Sequence, residues 1–217
     1  MSFDWVSAAG IATAVGTALL AVATFQSTRT ANRAARSAER ARLESLQPIL
    51  IPSPWEAPVQ KVNFIDGKLM HVSGGRASIE VTDEVVYMIA SIRNVGRGLA
   101  VFHGWAVPAD RASDRTPLSD FHLLQRDIFV APDYDGFVQV ASRDPKSKEF
   151  ASLVNGERSD IFWIDLLYSD IESTQRLVTR FAFTLAPDSD RKEWITSVVR
   201  YWTLDGPDPH DSRGRLD

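Results

Sequence analysis

Histidines, carboxylates and one glycine-rich segment are where this chain could do chemistry. The histidines are His71, His103, His122 and His210, and no two of them stand two to five residues apart. Zinc motifs are built on such close pairs, so the spacing assigns no metal ligand. His103 adjoins Gly104 and Trp105 in a strand-like run, the setting of an ordinary sheet residue. His122 follows Asp120 by two residues and is free in sequence terms to meet an acid in space. Pro132-Asp133-Tyr134-Asp135-Gly136 is similar to the start of a calcium loop. It lacks the third acidic position and the distal Glu, which excludes an EF-hand and leaves Asp133 and Asp135 as turn residues.

Arg93-Asn94-Val95-Gly96-Arg97-Gly98 is the most motif-like stretch. A dinucleotide fingerprint needs a helix after its glycines, and Leu-Ala-Val-Phe follows here, another β run. The expectation is a tight connection with positive φ at Asn94, Gly96 or Gly98. Asp165 and Asp170 flank Tyr168, a pairing common in hairpins without catalysis. Cysteine is absent, which removes disulfides, thiolate nucleophiles and cysteine-based metal sites. No nucleophile elbow, P-loop or metalloprotease motif occurs. No catalytic residue, cofactor site or metal site is therefore assigned.

The elements that would position any site divide the 217 residues into four segments: 1–25, 26–47, 48–205 and 206–217. Residues Trp5 to Phe25 carry no charge. As a helix, 21 residues span roughly 30 Å, the thickness of a bilayer's hydrocarbon core. Trp5 and Phe25 bracket the segment as interfacial aromatics. The segment is expected to be a single-pass transmembrane anchor. No Lys or Arg precedes it, which disfavours a cleaved signal peptide. Ala8, Ala12 and Gly16 recur every four residues, a small-residue face on which two copies of the helix could pack into a homo-oligomer.

Residues 26–47 read as a continuous Arg- and Ala-rich helix that Pro48 ends. Arg29, Arg33, Arg36 and Arg40 follow spacings of four, three and four, so they share one face. Basic residues after the apolar segment and none before it predict an N-terminus outside the cell membrane and a cytoplasmic C-terminal domain.

After Pro48 the period changes to two. Val62–Ile65 and Lys68–Val72 flank Asp66-Gly67, a hairpin signal. Further strands are expected at Val85–Arg93, Leu99–Val107, Phe137–Val140, Ile161–Tyr168, Leu177–Leu185 and Ile195–Leu204. Short helices are expected near Leu118–Gln125 and Ser147–Val154, the latter stopped by Asn155-Gly156. Seven or eight short strands without long helices predict a mainly β fold, an immunoglobulin-like β-sandwich. Tyr201 and Trp202 are the aromatics expected on its surface, a possible partner site. The tail from Gly206 reads as frayed.

Three features together resemble a loose group of uncharacterised single-pass membrane proteins of high-GC Gram-positive bacteria. They are the anchor with its Ala/Arg helix, the strand with Asn94-Val95-Gly96-Arg97-Gly98-Leu99-Ala100, and the ending Tyr201-Trp202-Thr203-Leu204-Asp205-Gly206-Pro207-Asp208-Pro209. The 19 Arg against 5 Lys fit a GC-rich genome. The resemblance implies architecture and no activity. Net charge is −4 with 24% charged residues, which does not fit a nucleic-acid binder. The expected role is a membrane-anchored adaptor or scaffold for a protein partner. The alternatives are a membrane-tethered sensor of a small ligand or lipid headgroup, and a hydrolase whose site the sequence does not display.

Overall fold

Small, helix-favouring residues without Gly or Pro after position 16 let one helix, α1, run unbroken from Trp5 to Ser45. The computed structural model describes residues 5–109, 112, 114–187 and 193–205. For residues 5–15, 18, 19, 40 and 43–45 that description is of the backbone alone. The chain forms two units, residues 1–44 and 45–217. The expected anchor and spacer are thus one element. Its threonines fold their hydroxyls back onto the helix: Thr24 Oγ1 donates to the Leu20 carbonyl at 2.8 Å, and Thr28 to Thr24 at 2.9 Å. Among the described residues no helix is long and apolar enough to cross a membrane.

The second unit is mainly β, as expected. Its strands are β1 (Leu50–Pro52), β2 (Gln60–Asn63), β3 (Leu69–Val72), β4 (Arg76–Val81), β5 (Val86–Asn94), β6 (Ala100–Ala106), β7 (His122–Leu123), β8 (Phe129–Val130), β9 (Asp135–Ser142), β10 (Ile161–Ser169), β11 (Arg176–Leu185) and β12 (Glu193–Thr203). Ten of these are bonded into one antiparallel sheet in the order β1-β5-β4-β12-β11-β10-β6-β7, with β9 on β5 and β8 on β6. Strands β4 and β12 share a short pairing, from Glu193↔Ser78 to Ile195↔Arg76, which links its two wings.

Period-2 burial fills the main core from both wings. Met88, Ile92, Val138 and Val140 meet Phe102, Ile164, Leu166, Phe181, Phe183 and Trp194 in one cluster. The opposite face of β5, Tyr87 and Ile89, is covered by the separate β2–β3 hairpin through Val62, Phe64, Met70 and Val72. That hairpin closes with a longer loop than a two-residue turn. Phe64 N–H donates to the Lys68 carbonyl and Gly67 N–H to the Phe64 carbonyl, with Gly67 at φ 83°. This is a three-residue turn with a glycine bulge.

Helix α2 (Lys148–Arg158) starts where expected, with the Ser147 Oγ accepting from Phe150 N–H at 3.1 Å. It does not stop at Asn155-Gly156. Gly156 lies inside it because a Cβ there would run into Phe162, and Asp160, at φ 58°, takes the left-handed position beyond the end. The expected helix at Leu118–Gln125 is one 3-10 turn, Leu118–Asp120, followed by β7. Strand β4 was not expected; its Arg76 and Glu80 break up a short run.

Candidate functional site

The Asn94-Gly-Gly segment is a buried staple. Asn94 is fully buried, and its Nδ2 donates to the Gly98 carbonyl at 2.7 Å and the Val130 carbonyl at 3.0 Å. Its Oδ1 accepts from Gly96 N–H at 2.9 Å and Ile49 N–H at 3.2 Å. Contrary to expectation, Asn94, Gly96 and Gly98 do not have positive φ. Glycine is required by close approach: a Cβ at Gly96 would meet Gln47 and Ile49 backbone, and one at Gly98 the Leu46 carbonyl. Every polar group of Asn94 is consumed in structure, so nothing there is offered to a ligand.

The other expected residues disperse. His103, in β6, has Nε2 2.7 Å from Ser169 Oγ, and burial lowers its pKa. His71 is exposed on β3, and His210 lies outside the described residues. Asp135 pairs with Arg93 at 3.6 Å, and Asp133 is a turn residue at φ 62°. Asp170 caps its own hairpin, accepting from Thr174 Oγ1 at 2.6 Å and Gln175 N–H at 2.9 Å. Among the described residues no three His, Asp or Glu side chains are grouped to hold a metal.

Trp202, expected on the surface, is 1% exposed. Its pairing with Val178 puts it on the covered side of β12, packed with Leu167 and Val178, with the Arg180 guanidinium 5.6 Å from its ring. Tyr201 is half-buried. On α1, Phe25, Arg29, Arg33 and Arg36 are exposed and Gly16 is half-buried. The side chains of Trp5, Ala8, Ala12 and Arg40 lie outside the described residues.

What the sequence did not single out is a cleft beside the N-terminal turn of α2. Two cavities, of about 390 and 560 Å³, share His122 and Glu149 in their linings. His122 Nε2 lies 3.2 Å from Glu149 Oε1, and the imidazole packs on Trp105 with ring centres 5.1 Å apart. The pair therefore stands between two lobes of one depression. The first lobe is walled by Gln139 and Ala141 of β9 and by Arg143 just past its end, at alternating positions. The Ser147 cap and Phe64 of the hairpin complete it. Thr116, Ser119 and Lys148 line the second.

Two polar atoms of residues lining the first lobe lie sealed behind its surface without a partner. Gln139 is 5% exposed with Oε1 buried and unbonded, and Arg143 Nη1 is buried and unbonded too. The rest of Arg143 is engaged: its Nη2 donates to Asp66 Oδ2 at 2.8 Å. That hydrogen bond, with one from Tyr87 OH at 2.7 Å, holds the Asp66 carboxyl down at about 2. The lobe thus sets an aromatic floor and a carboxylate–imidazole pair in a mainly polar wall.

The class that fold and site define is a mainly β protein with a polar cleft and a long N-terminal helix. No known family model matches the chain, and no curated protein matches it. These comparisons do not link it to any group of membrane proteins.

Proposed function

We propose that the chain is a membrane-tethered sensor whose β unit binds a small polar ligand in the cleft beside α2. The observation that carries this reading is the His122–Glu149 pair, 3.2 Å apart and packed on Trp105, in the lining of a cavity of about 390 Å³. The volume lies within the usual range for small-molecule sites, roughly 300–1,000 Å³.

The adaptor reading loses its expected contact residue with the burial of Trp202. We read the two wings of the sheet as a sandwich of immunoglobulin-like kind that holds this cleft at one edge. The membrane tether is supported by α1. Residues 5–25 are uncharged, Leu20, Val22 and Phe25 are exposed, and Thr24 hides its hydroxyl on the Leu20 carbonyl. With Arg29, Arg33 and Arg36 after the apolar segment, the β unit belongs in the cytoplasm.

The binding test is thermal unfolding of the full chain, in detergent, against amino acids, nucleosides and sugar phosphates. A ligand at a hundred times its dissociation constant stabilises by about 2.7 kcal/mol. At least one class should raise the unfolding temperature of the wild type and fail to do so in Gln139→Leu and Glu149→Gln. A panel without effect, or stabilisation that survives both substitutions, sinks the reading. Topology is tested with Lys61→Cys, a single exposed thiol in a chain with no other. It should resist impermeant thiol reagents in intact cells, whereas ready labelling would put the β unit outside.

A further inference from the structure

We infer that the Arg29–Arg33–Arg36 face of α1 is a docking surface for anionic phospholipid headgroups. The inference rests on the tether proposed above, since that tether brings the face to the bilayer. Spacings of four and three put the three guanidinium groups on one side of the helix. All three side chains are exposed. They frame a shallow depression together with Asn32. From Arg29 to Arg36 the helix rises roughly 10 Å, so the three groups form one short basic stripe.

Local sequence leaves this charge uncompensated. No Asp or Glu occurs from residue 5 to residue 38. The first acid, Glu39, lies 3.8 Å from Arg42. Ala31, Ala34 and Ala35 are too short to shield the guanidinium groups from a flat partner. The start of the face is marked by Phe25, the last residue of the uncharged segment, over whose ring the Arg29 guanidinium sits at 4.4 Å. An interfacial aromatic carrying a cation belongs at the depth where hydrocarbon gives way to headgroups. Guanidinium groups suit phosphate because their planar fork donates two parallel hydrogen bonds.

The remainder of the chain points the opposite way. Residues 45–217 hold 19 Lys and Arg against 25 Asp and Glu. An acidic body is repelled by an anionic surface, so a preference for such a surface has to come from the helix. Each basic residue near an anionic membrane strengthens association roughly fivefold, and three together on the order of a hundredfold.

The test is vesicle flotation of the full chain and of the triple variant Arg29→Gln, Arg33→Gln, Arg36→Gln. The vesicles are phosphatidylcholine alone or phosphatidylcholine mixed with phosphatidylglycerol. The wild type should float with both and partition roughly a hundredfold more strongly into the anionic vesicles. About 1 M salt, where the Debye length is roughly 3 Å, should erase that preference. The variant should float with both equally. Equal partition of the wild type, or a preference that the variant keeps, overturns the inference. Flotation of the wild type with anionic vesicles only, lost in the variant, supports it while removing the tether. Flotation with neither overturns both.

Discussion

Arg180 and Asp165 face each other across β10 and β11 as a sealed bidentate ion pair. Nε lies 2.7 Å from Oδ1 and Nη2 2.8 Å from Oδ2, with side chains 1% and 0% exposed. Thr116 Oγ1 donates to Oδ2 at 2.6 Å, and Arg180 Nη2 also reaches the Asp114 carbonyl at 3.2 Å. The pair thereby ties residues 114–116, which line the second lobe of the cleft, to the sheet.

Removing one partner leaves the other charged and buried, which costs about 3–5 kcal/mol. Arg180→Met and Asp165→Leu should each lower full-chain stability by that order in denaturant unfolding followed by Trp fluorescence. The double variant should recover most of the loss, because no charge remains to be desolvated. A double variant as unstable as the two losses summed would mean that the pair does not act as a unit.

This pair shows where sequence reasoning reached and where it stopped. Strands β10 and β11 and their polar loop were legible from β-branched and aromatic runs, and the loop position sets Asp165 opposite Arg180. In the sequence, Arg180, Ala182 and Thr184 alternate with Phe181, Phe183 and Leu185, a pattern that fits a half-buried strand. Arg180 and Ala182 are in fact buried, because Trp202 and residues 114–116 cover that side. A period-2 pattern reports which residues alternate, not whether the second face is also covered. The cleft was invisible for a related reason. Trp105, His122, Gln139 and Glu149 come from β6, β7, β9 and α2, and their meeting depends on sheet order, which no local pattern encodes. The helices were legible because caps and period are local, and the overrun past Asn155-Gly156 came from packing on Phe162.

The Asn94 staple gives a second prediction. Asn94→Ala strips partners from the Gly98 and Val130 carbonyls and from two N–H groups, in a fully buried site. The expected loss is roughly 3 kcal/mol or more. Gly98→Ala should be comparably damaging, since the Leu46 carbonyl occupies the space of the new methyl. Gly67→Ala, where nothing lies near and only φ 83° is unfavourable, should cost about 1–2 kcal/mol. If thermal unfolding ranks Gly67→Ala as the worst of the three, close approach is not what the Asn94 segment depends on.

Acid should weaken the hairpin clamp at Asp66. Its carboxyl is held at about 2 by the Arg143 and Tyr87 hydrogen bonds. A depressed pKa favours the folded state above the ordinary carboxylate value of about 4, and that advantage disappears as the pH falls through about 2. In Asp66→Asn the contribution is absent at every pH. The gap in unfolding temperature between wild type and variant should therefore be constant above pH ~5 and close on acidification. A gap that stays constant down to the acid limit would show that the ionised carboxylate does not clamp the hairpin.

Alkali should act through Tyr168. It is 1% exposed, with OH 2.9 Å from Thr179 Oγ1, and burial pushes its pKa up to about 12. The phenol ionises near 10 when unfolded but only near 12 when folded. Between those values the unfolded chain has lost a proton that the folded chain retains, so stability falls as pH rises. Tyr168→Phe gives up the hydroxyl contact, at about 1 kcal/mol near neutrality, but has no phenol to ionise. The wild type's advantage should therefore shrink above pH ~10 and reverse before ~12. The difference in phenolate absorbance between the folded wild type and Tyr168→Phe should rise only near 12. A difference that rises near 10, with the chain still folded, would contradict the burial that holds the Tyr168 phenol up.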